Sequence, residues 1–105
     1  MKVRHKHKPR EQLKIANDRI KTLFEQAFQQ FRKDPSLSNR YVEIARKIAM
    51  KYRTTISSAL KRQFCKKCHS YLLAPYNVRI RAHQGKLVYR CMECNHTMRF
   101  GYKQR

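Results

Sequence analysis

The chain has 105 residues, 41% of them hydrophobic, and carries 26 Lys and Arg against 6 Asp and Glu for a formal net charge of +20. That length allows one ordinary domain or two very small ones, and only two Gly and three Pro exclude a low-complexity disordered composition. No stretch approaches the roughly 20 apolar residues of a membrane span, and so large a cationic surplus calls for a polyanion, most commonly nucleic acid.

Residues 1–10 form a basic arm with Lys2, Arg4, Lys6, Lys8 and Arg10 and no acid. The arm lacks the apolar centre of a secretory signal, so the chain is expected in the cytosol or nucleus. Reducing conditions there favour metal or redox use of thiols over disulfides. Charge is shared evenly: residues 1–60 hold 15 basic against 5 acidic side chains, and residues 61–105 hold 11 against 1.

From Glu11 to about Lys33, Leu13, Ala16, Ile20, Leu23, Phe24, Ala27 and Phe31 recur at spacings of three and four. Lys14, Asp18, Lys21 and Glu25 fall elsewhere, which predicts an amphipathic helix. Asp34, Pro35 and Ser36 break it, and one of Ser36, Ser38 and Asn39 is expected to cap a second helix reaching about Arg53. Its apolar face is read as Tyr41, Ile44, Ala45, Ile48 and Tyr52. Residues 11–53 thus make an antiparallel hairpin. Mutual burial explains the two stripes, but two helices enclose a thin core and Phe24, Phe31, Tyr41 and Tyr52 are large. Part of this surface is therefore expected to meet the cysteine-bearing module or a partner protein. Residues 54–63 read as a linker or a short third helix on Ile56, Ala59 and Leu60.

After Phe64 the period becomes two. Val78, Ile80 and Ala82 alternate with Arg79, Arg81 and His83; Gln84 and Gly85 supply a turn; Leu87, Val88 and Tyr89 return; Met98, Phe100 and Tyr102 alternate with Arg99 and Gly101. Three short antiparallel strands follow. The expected class is a small α+β protein, a two-helix hairpin followed by a three-stranded ribbon over residues 64–105.

Cys65 and Cys68, then Cys91 and Cys94, make two CxxC pairs separated by 22 residues. Each pair can turn two thiolates toward one ion, and two such knuckles complete a tetrahedron. Residues 61–105 have few apolar side chains for a fold of this size, whereas a structural zinc supplies roughly 10–16 kcal/mol of apparent binding energy. One structural zinc with four cysteine ligands is therefore expected. A thioredoxin-like redox role lacks its alternating strand and helix context, and a catalytic zinc needs an open position that four cysteines close. An iron–sulfur cluster fits the same thiolates and stays open as an alternative. His69 and His96 are read as near-surface neighbours, and Asn95 as suited to a positive φ after its knuckle.

Four thiolates with one zinc carry a charge of −2, which Lys66, Lys67 and Arg90 partly offset. Most of the remaining charge must face something else. Arg79 and Arg81 lie opposite the apolar side of their strand, and Lys86, Arg90, Arg99, Lys103 and Arg105 come from neighbouring positions, so a basic RNA-binding face is expected. Tyr76, Tyr89 and Tyr102 suit either stacking on unpaired bases or packing, with packing favoured for Tyr89. No recognition-helix signature for duplex DNA is present. Glu11, Asp18, Glu25, Asp34, Glu43 and Glu93 form no paired-carboxylate pattern for an autonomous nuclease.

The order of parts, ending in FCKKCHSYLLAPYNVRIRAHQGKLVYRCMECNHTMRFGY, resembles the zinc-ribbon subunit family of archaeal ribonuclease P over nearly the whole chain. The first knuckle, its leucine and proline-containing loop, and NVRIR leading to the second knuckle carry the likeness. The resemblance implies a cytoplasmic, non-catalytic subunit of an RNA-based endonuclease that removes the 5′ leader of precursor tRNA. It implies zinc at Cys65, Cys68, Cys91 and Cys94, and contact with the specificity region of ribonuclease P RNA through the ribbon's Lys and Arg. It also implies a heterodimer with a second small basic ribonuclease P protein through Leu13, Ala16, Ile20, Leu23, Phe24, Ala27, Phe31, Tyr41, Ile44 and Ile48. Contact with precursor tRNA is expected to be indirect. The alternative expectation is a zinc-ribbon RNA-binding protein of the ribosome or another ribonucleoprotein.

Overall fold

The computed structural model describes residues 10–101. The expectations for residues 1–9, and for Tyr102, Lys103 and Arg105, fall outside the described residues. Helix α1 (Arg10–Gln30) buries Ala16, Ile20, Phe24 and Ala27, the stripe that its sequence spacing specifies. It ends at Gln30, before Lys33, because the Lys33 and Asp34 N–H groups both turn back to the Gln30 carbonyl at 3.0 and 2.8 Å.

Helix α2 (Pro35–Lys51) starts differently from expectation. Its cap is Asp34, not Ser36, Ser38 or Asn39. The Asp34 carboxylate accepts from the Ser36 hydroxyl at 2.7 Å and the Leu37 N–H at 3.3 Å, and these bonds, in that order, hold its pKa below the ordinary value. Pro35 fits the first helical position, where no N–H has an intrahelical partner to lose. An Asp-Pro pair read only as a breaker is here a start signal.

The inner face of α2 is also rotated from the one expected. Ser38, Val42, Ala45 and Ala49 are buried, Tyr41 and Ile48 flank them, and Ile44 is 37% exposed. Small side chains let the helices approach closely, and the Ser38 hydroxyl donates to the Ala27 carbonyl across the seam. The bulkier apolar side chains, Tyr41, Ile44 and Ile48, lie on the neighbouring stripe. Helix α3 (Ser58–Lys61) is one turn, capped by the Ser57 hydroxyl, which accepts from the Leu60 N–H at 3.4 Å.

Strands β1 (Val78–His83), β2 (Lys86–Cys91) and β3 (Thr97–Gly101) form an antiparallel sheet in the order β1-β2-β3. Gln84 and Gly85, with φ of 49° and 78°, make the two-residue β1–β2 turn. Register places Ile80, Tyr89 and Met98 in one row and Leu87 beside Phe100 on the same face. The opposite face carries Arg79, Arg81, Lys86, Val88, Arg90, Thr97 and Arg99. Alternation holds, but burial does not follow it along β1: Val78 is buried while Ile80 is 41% exposed, since the strand runs out past its support.

Two apolar clusters result. One gathers Ile20, Phe24, Ala27, Phe31, Val42, Ala45, Ala49 and Ile56 with Phe64 and Tyr71; the other surrounds Cys65 and Cys91 with Leu72, Val78 and Met98. Phe64 and Tyr71 pair across an antiparallel bridge at the base of the first knuckle. Their rings enter the helical core: Phe24 lies 5.7 Å from Phe64, and Phe31 lies 5.8 Å from Tyr71, between centroids. Phe24→Ala should therefore loosen the helices and the knuckle together, costing about 3–5 kcal/mol in denaturant unfolding.

Two asparagines complete the joint. Asn39 on α2 accepts from the Tyr71 N–H at 2.8 Å. Buried Asn77 donates to the Tyr71 carbonyl at 2.6 Å and accepts from the Leu73 N–H at 2.8 Å, and its own carbonyl accepts from Met92 N–H in the second knuckle at 2.9 Å. Asn77→Ala orphans two buried backbone groups, so a loss of about 1–3 kcal/mol is expected in the same assay. A midpoint equal to that of the unaltered protein would contradict it.

Candidate metal centre and nucleic-acid interface

The two CxxC segments fold as near copies, 26 residues apart. The Cys65 and Cys91 N–H groups donate to the carbonyls of Ser70 and His96, at 3.0 and 2.9 Å. The His69 and Asn95 N–H groups donate back to the Cys65 and Cys91 carbonyls, at 2.8 Å in each case. Closing so tight a loop needs a left-handed residue after the second cysteine, and His69 and Asn95 have φ of 63° and 66°. The positive φ expected at Asn95 is present, and His69 shares it.

All four sulfurs lie within 4.8 Å of one another. Cys65 Sγ is 3.6 Å from Cys94 Sγ, and Cys68 Sγ is 3.6 Å from Cys91 Sγ. A disulfide needs about 2.05 Å, whereas the edge of a sulfur tetrahedron around a metal at about 2.3 Å is about 3.8 Å. The arrangement thus fits one four-coordinate metal ion. Lys67 and Cys68 N–H groups also point at Cys65 Sγ, both at 3.4 Å, as donors to a thiolate would.

Ionising these thiols without a cation is costly. Burial raises Cys65, and raises Cys91 to about 12. At Cys68 burial acts the same way, but hydrogen bonding with Ser70, Cys65 and Cys94 outweighs it and brings the thiol down to about 7. A bound divalent cation would favour the charged form at all four positions. Among the described residues the metal-capable cluster contains the four cysteines and neither His69 nor His96. Burial, and then the charge of Arg46, keeps His69 below its ordinary value, and its ring lies 6.5 Å from that of Phe64.

The expected basic residues divide into two places. Lys66 and Lys67 are exposed on the first knuckle, while Arg79, Arg81, Lys86, Arg90 and Arg99 share the outer face of the sheet. Arg79 stands directly opposite Arg90, and Arg81 and Arg99 flank Val88 in one row. Among the described residues no carboxylate forms an ion pair with any of these four arginines. Arg79, Arg81, Val88, Arg90 and Thr97 line a shallow cup of about 140 Å³. Sequence reasoning missed Val88 and Thr97; only the β2–β3 register brings them beneath the arginines.

Tyr89 packs as expected, with its ring edge-on to Phe100 at 5.1 Å on the inner face. Tyr76 is 53% exposed and leans on Phe31, with the Arg32 guanidinium over its ring. The residues assigned to a partner surface divide as well. Ala16, Ile20, Phe24, Ala27 and Phe31 are enclosed in the chain's own core, because Val42, Ala45 and Tyr71 pack over them. Leu13, Leu23, Tyr41 and Ile48 are half-buried and Ile44 is exposed. Ile15, absent from the expected set, is 55% exposed and joins Leu23, Ile44 and Ile48 along an open groove. No helix among the described residues is long and apolar enough to cross a membrane.

Comparison with known proteins agrees with this geometry. Residues 19–95 match the family described as the RNAse P Rpr2/Rpp21/SNM1 subunit domain. The chain is 44% identical over 87 residues to ribonuclease P protein component 4 of Methanoculleus marisnigri, covering 83% of each chain. It is 41% identical over 104 residues to the Thermococcus sibiricus protein of the same name, covering 96% of this chain and 87% of that one. Its fold is similar to a chain in the cryo-EM structure of archaeal ribonuclease P with mature tRNA, at a TM-score of 0.79 and 34% identity, covering 95% of this chain and 85% of that one.

Proposed function

The chain belongs to the RNAse P Rpr2/Rpp21/SNM1 subunit family, and on that premise we propose that it is the RNA-binding accessory subunit of an archaeal ribonuclease P, the enzyme that removes the 5′ leader of precursor tRNA. The observation that carries this reading is the sheet face on which four arginines stand, among the described residues without acidic partners, beside a four-cysteine clip. Uncompensated charge at fixed spacing costs stability in the free protein and is recovered against phosphate.

Cys65, Cys68, Cys91 and Cys94 hold the structural ion, and zinc is the reading their donor set supports best. Four thiolates at tetrahedral separations leave no open position for substrate or water. When bound, zinc supplies cross-linking and charge balance, not reaction chemistry. The protein therefore contributes positioning, and cleavage belongs to the RNA. Lys66 and Lys67 extend the basic surface around the first knuckle. The outer groove of the helices, with Ile15, Leu23, Ile44 and Ile48, is the surface offered to a second small basic ribonuclease P protein. That role passes from the enclosed Ile20 and Phe24 to the residues left outside.

Affinity purification of the tagged chain from its native cells tests the reading. Ribonuclease P RNA and precursor-tRNA cleaving activity should co-purify, and nuclease treatment of the RNA should abolish the activity. Recovery with ribosomal subunits alone would overturn it. So would precursor-tRNA cleavage by the purified chain without RNA.

A further inference from the structure

An RNA partner can be held by its bases or by its backbone, and the sheet face discriminates between them. Resting on the ribonuclease P reading, we propose that this face holds the sugar–phosphate backbone of a double-helical RNA segment, with one phosphate seated in the cup between Arg79, Arg81 and Arg90.

Recognition of single-stranded RNA depends on splaying bases onto flat side chains. Among the described residues the outer face offers no Phe, Tyr or Trp ring, and its one imidazole, His83, stands at the turn end of β1. Its described side chains are arginines, Lys86 and His83, with Val88 and Thr97 between them. The sheet's own aromatics, Tyr89 and Phe100, are on the inner face, locked edge to face, and the Arg62 guanidinium covers Phe100 at 4.9 Å. Exposed Tyr76 is tied to Phe31 at the helical core, not to this sheet.

Guanidinium planes can also stack on bases, but the register argues for anions. Arg79 and Arg90 are directly opposite on neighbouring strands, a spacing of roughly 5 Å at which like charges repel. A stacked base is neutral and leaves that repulsion in place; a phosphate between the two forks removes it, with charge-assisted bonds from both sides. The cup, about 140 Å³ in volume, is floored by Val88, and Thr97 supplies a hydroxyl at its wall. Arg81 and Arg99 stand two strands apart, roughly 10 Å, with Val88 between them, so they reach phosphates on either side of the one in the cup. A row of cations on a rigid sheet suits a rigid ladder of phosphates. A-form duplexes present their backbones in that way, and they are recognised largely by shape.

The test uses the full-length, metal-loaded chain with a 16-base-pair RNA hairpin, an unstructured RNA of equal length, and ribonuclease P RNA. The unaltered chain should prefer the hairpin to the unstructured strand, and permuting the hairpin's base pairs should leave affinity unchanged. Arg79→Gln with Arg90→Gln should weaken hairpin binding at least about 10-fold and flatten the plot of log K against log salt by about 1.8. The metal content should stay at one per chain, and the melting temperature of the free protein should stay or rise, because a repulsive pair has gone. Should that variant lose its metal, Arg81→Gln with Arg99→Gln gives the same readout from the flanks. Preference for the unstructured strand, sensitivity to base-pair permutation, or unweakened hairpin binding by the folded variant would overturn the inference. The two readings fail separately: a variant that keeps full affinity for ribonuclease P RNA removes only this assignment, while an unaltered chain that does not bind that RNA removes the ribonuclease P reading.

Discussion

Cys65→Ser should release the metal and destabilise both halves of the molecule, not only the ribbon. Cys65 and Cys91 are essentially inaccessible, and among the described residues Leu72, Val78 and Met98 are their buried apolar neighbours, with half-buried Tyr89 and Phe100 packed against them. A core that small cannot offset the cost of ordering the three strands. A structural metal supplies roughly 10–16 kcal/mol of apparent binding energy to such a site, so losing it removes the ribbon's main stabilisation. The damage then spreads, because Phe64 and Tyr71 are set by the first knuckle and fill the helical core against Phe24 and Phe31. Metal analysis should fall from one ion per chain to none. Far-UV circular dichroism should show the sheet lost and the helices melting at lower temperature, and chelation of the unaltered chain should reproduce both. Retention of one metal per chain with unchanged melting would refute the structural role. Acid should act in the same direction, since protons compete for the ligand thiolates.

Reversing charge at Arg79 and Arg81 with Glu should weaken binding to ribonuclease P RNA by roughly 10²-fold or more, with metal and melting retained. Charge-assisted hydrogen bonds contribute about 1.5–3 kcal/mol each, and two are lost before counting the repulsion of two new carboxylates. Both side chains are exposed and neither holds an ion pair among the described residues, so the folded state loses no contact by the change. Filter binding across a salt series measures it. Affinity unchanged at physiological salt would remove both residues from the interface.

Much of this molecule was legible in its sequence, for identifiable reasons. The α1 stripe, the three strands and the cysteine set follow from periodicity and spacing, which local geometry enforces. The inner face of α2 was not, because Ser38, Ala45 and Ala49 are chosen for closeness and not for hydrophobicity. The Asp34 cap was hidden by the proline after it, which reads as a break until it is placed at the first helical position. Part of the face expected to meet a partner is enclosed for a tertiary reason: periodicity marks an apolar face but not what covers it, and Tyr71, 40 residues beyond Phe31, packs into this one. The arginine face was legible as far as each strand's alternation. The cup required cross-strand register, which no single strand encodes.

The Phe64–Tyr71 bridge also imposes an order on assembly. Contacts between α1 and α2 are local in sequence, so the helical hairpin can form early, before any long loop closes. It then carries a gap where two aromatic rings belong, and those rings arrive only when the CxxC segment between them has turned back on itself. Metal capture becomes the step that commits the chain, and hydrogen exchange in α1 and α2 should report on an ion that touches neither helix. A metal-free chain would keep its hairpin with that seam open.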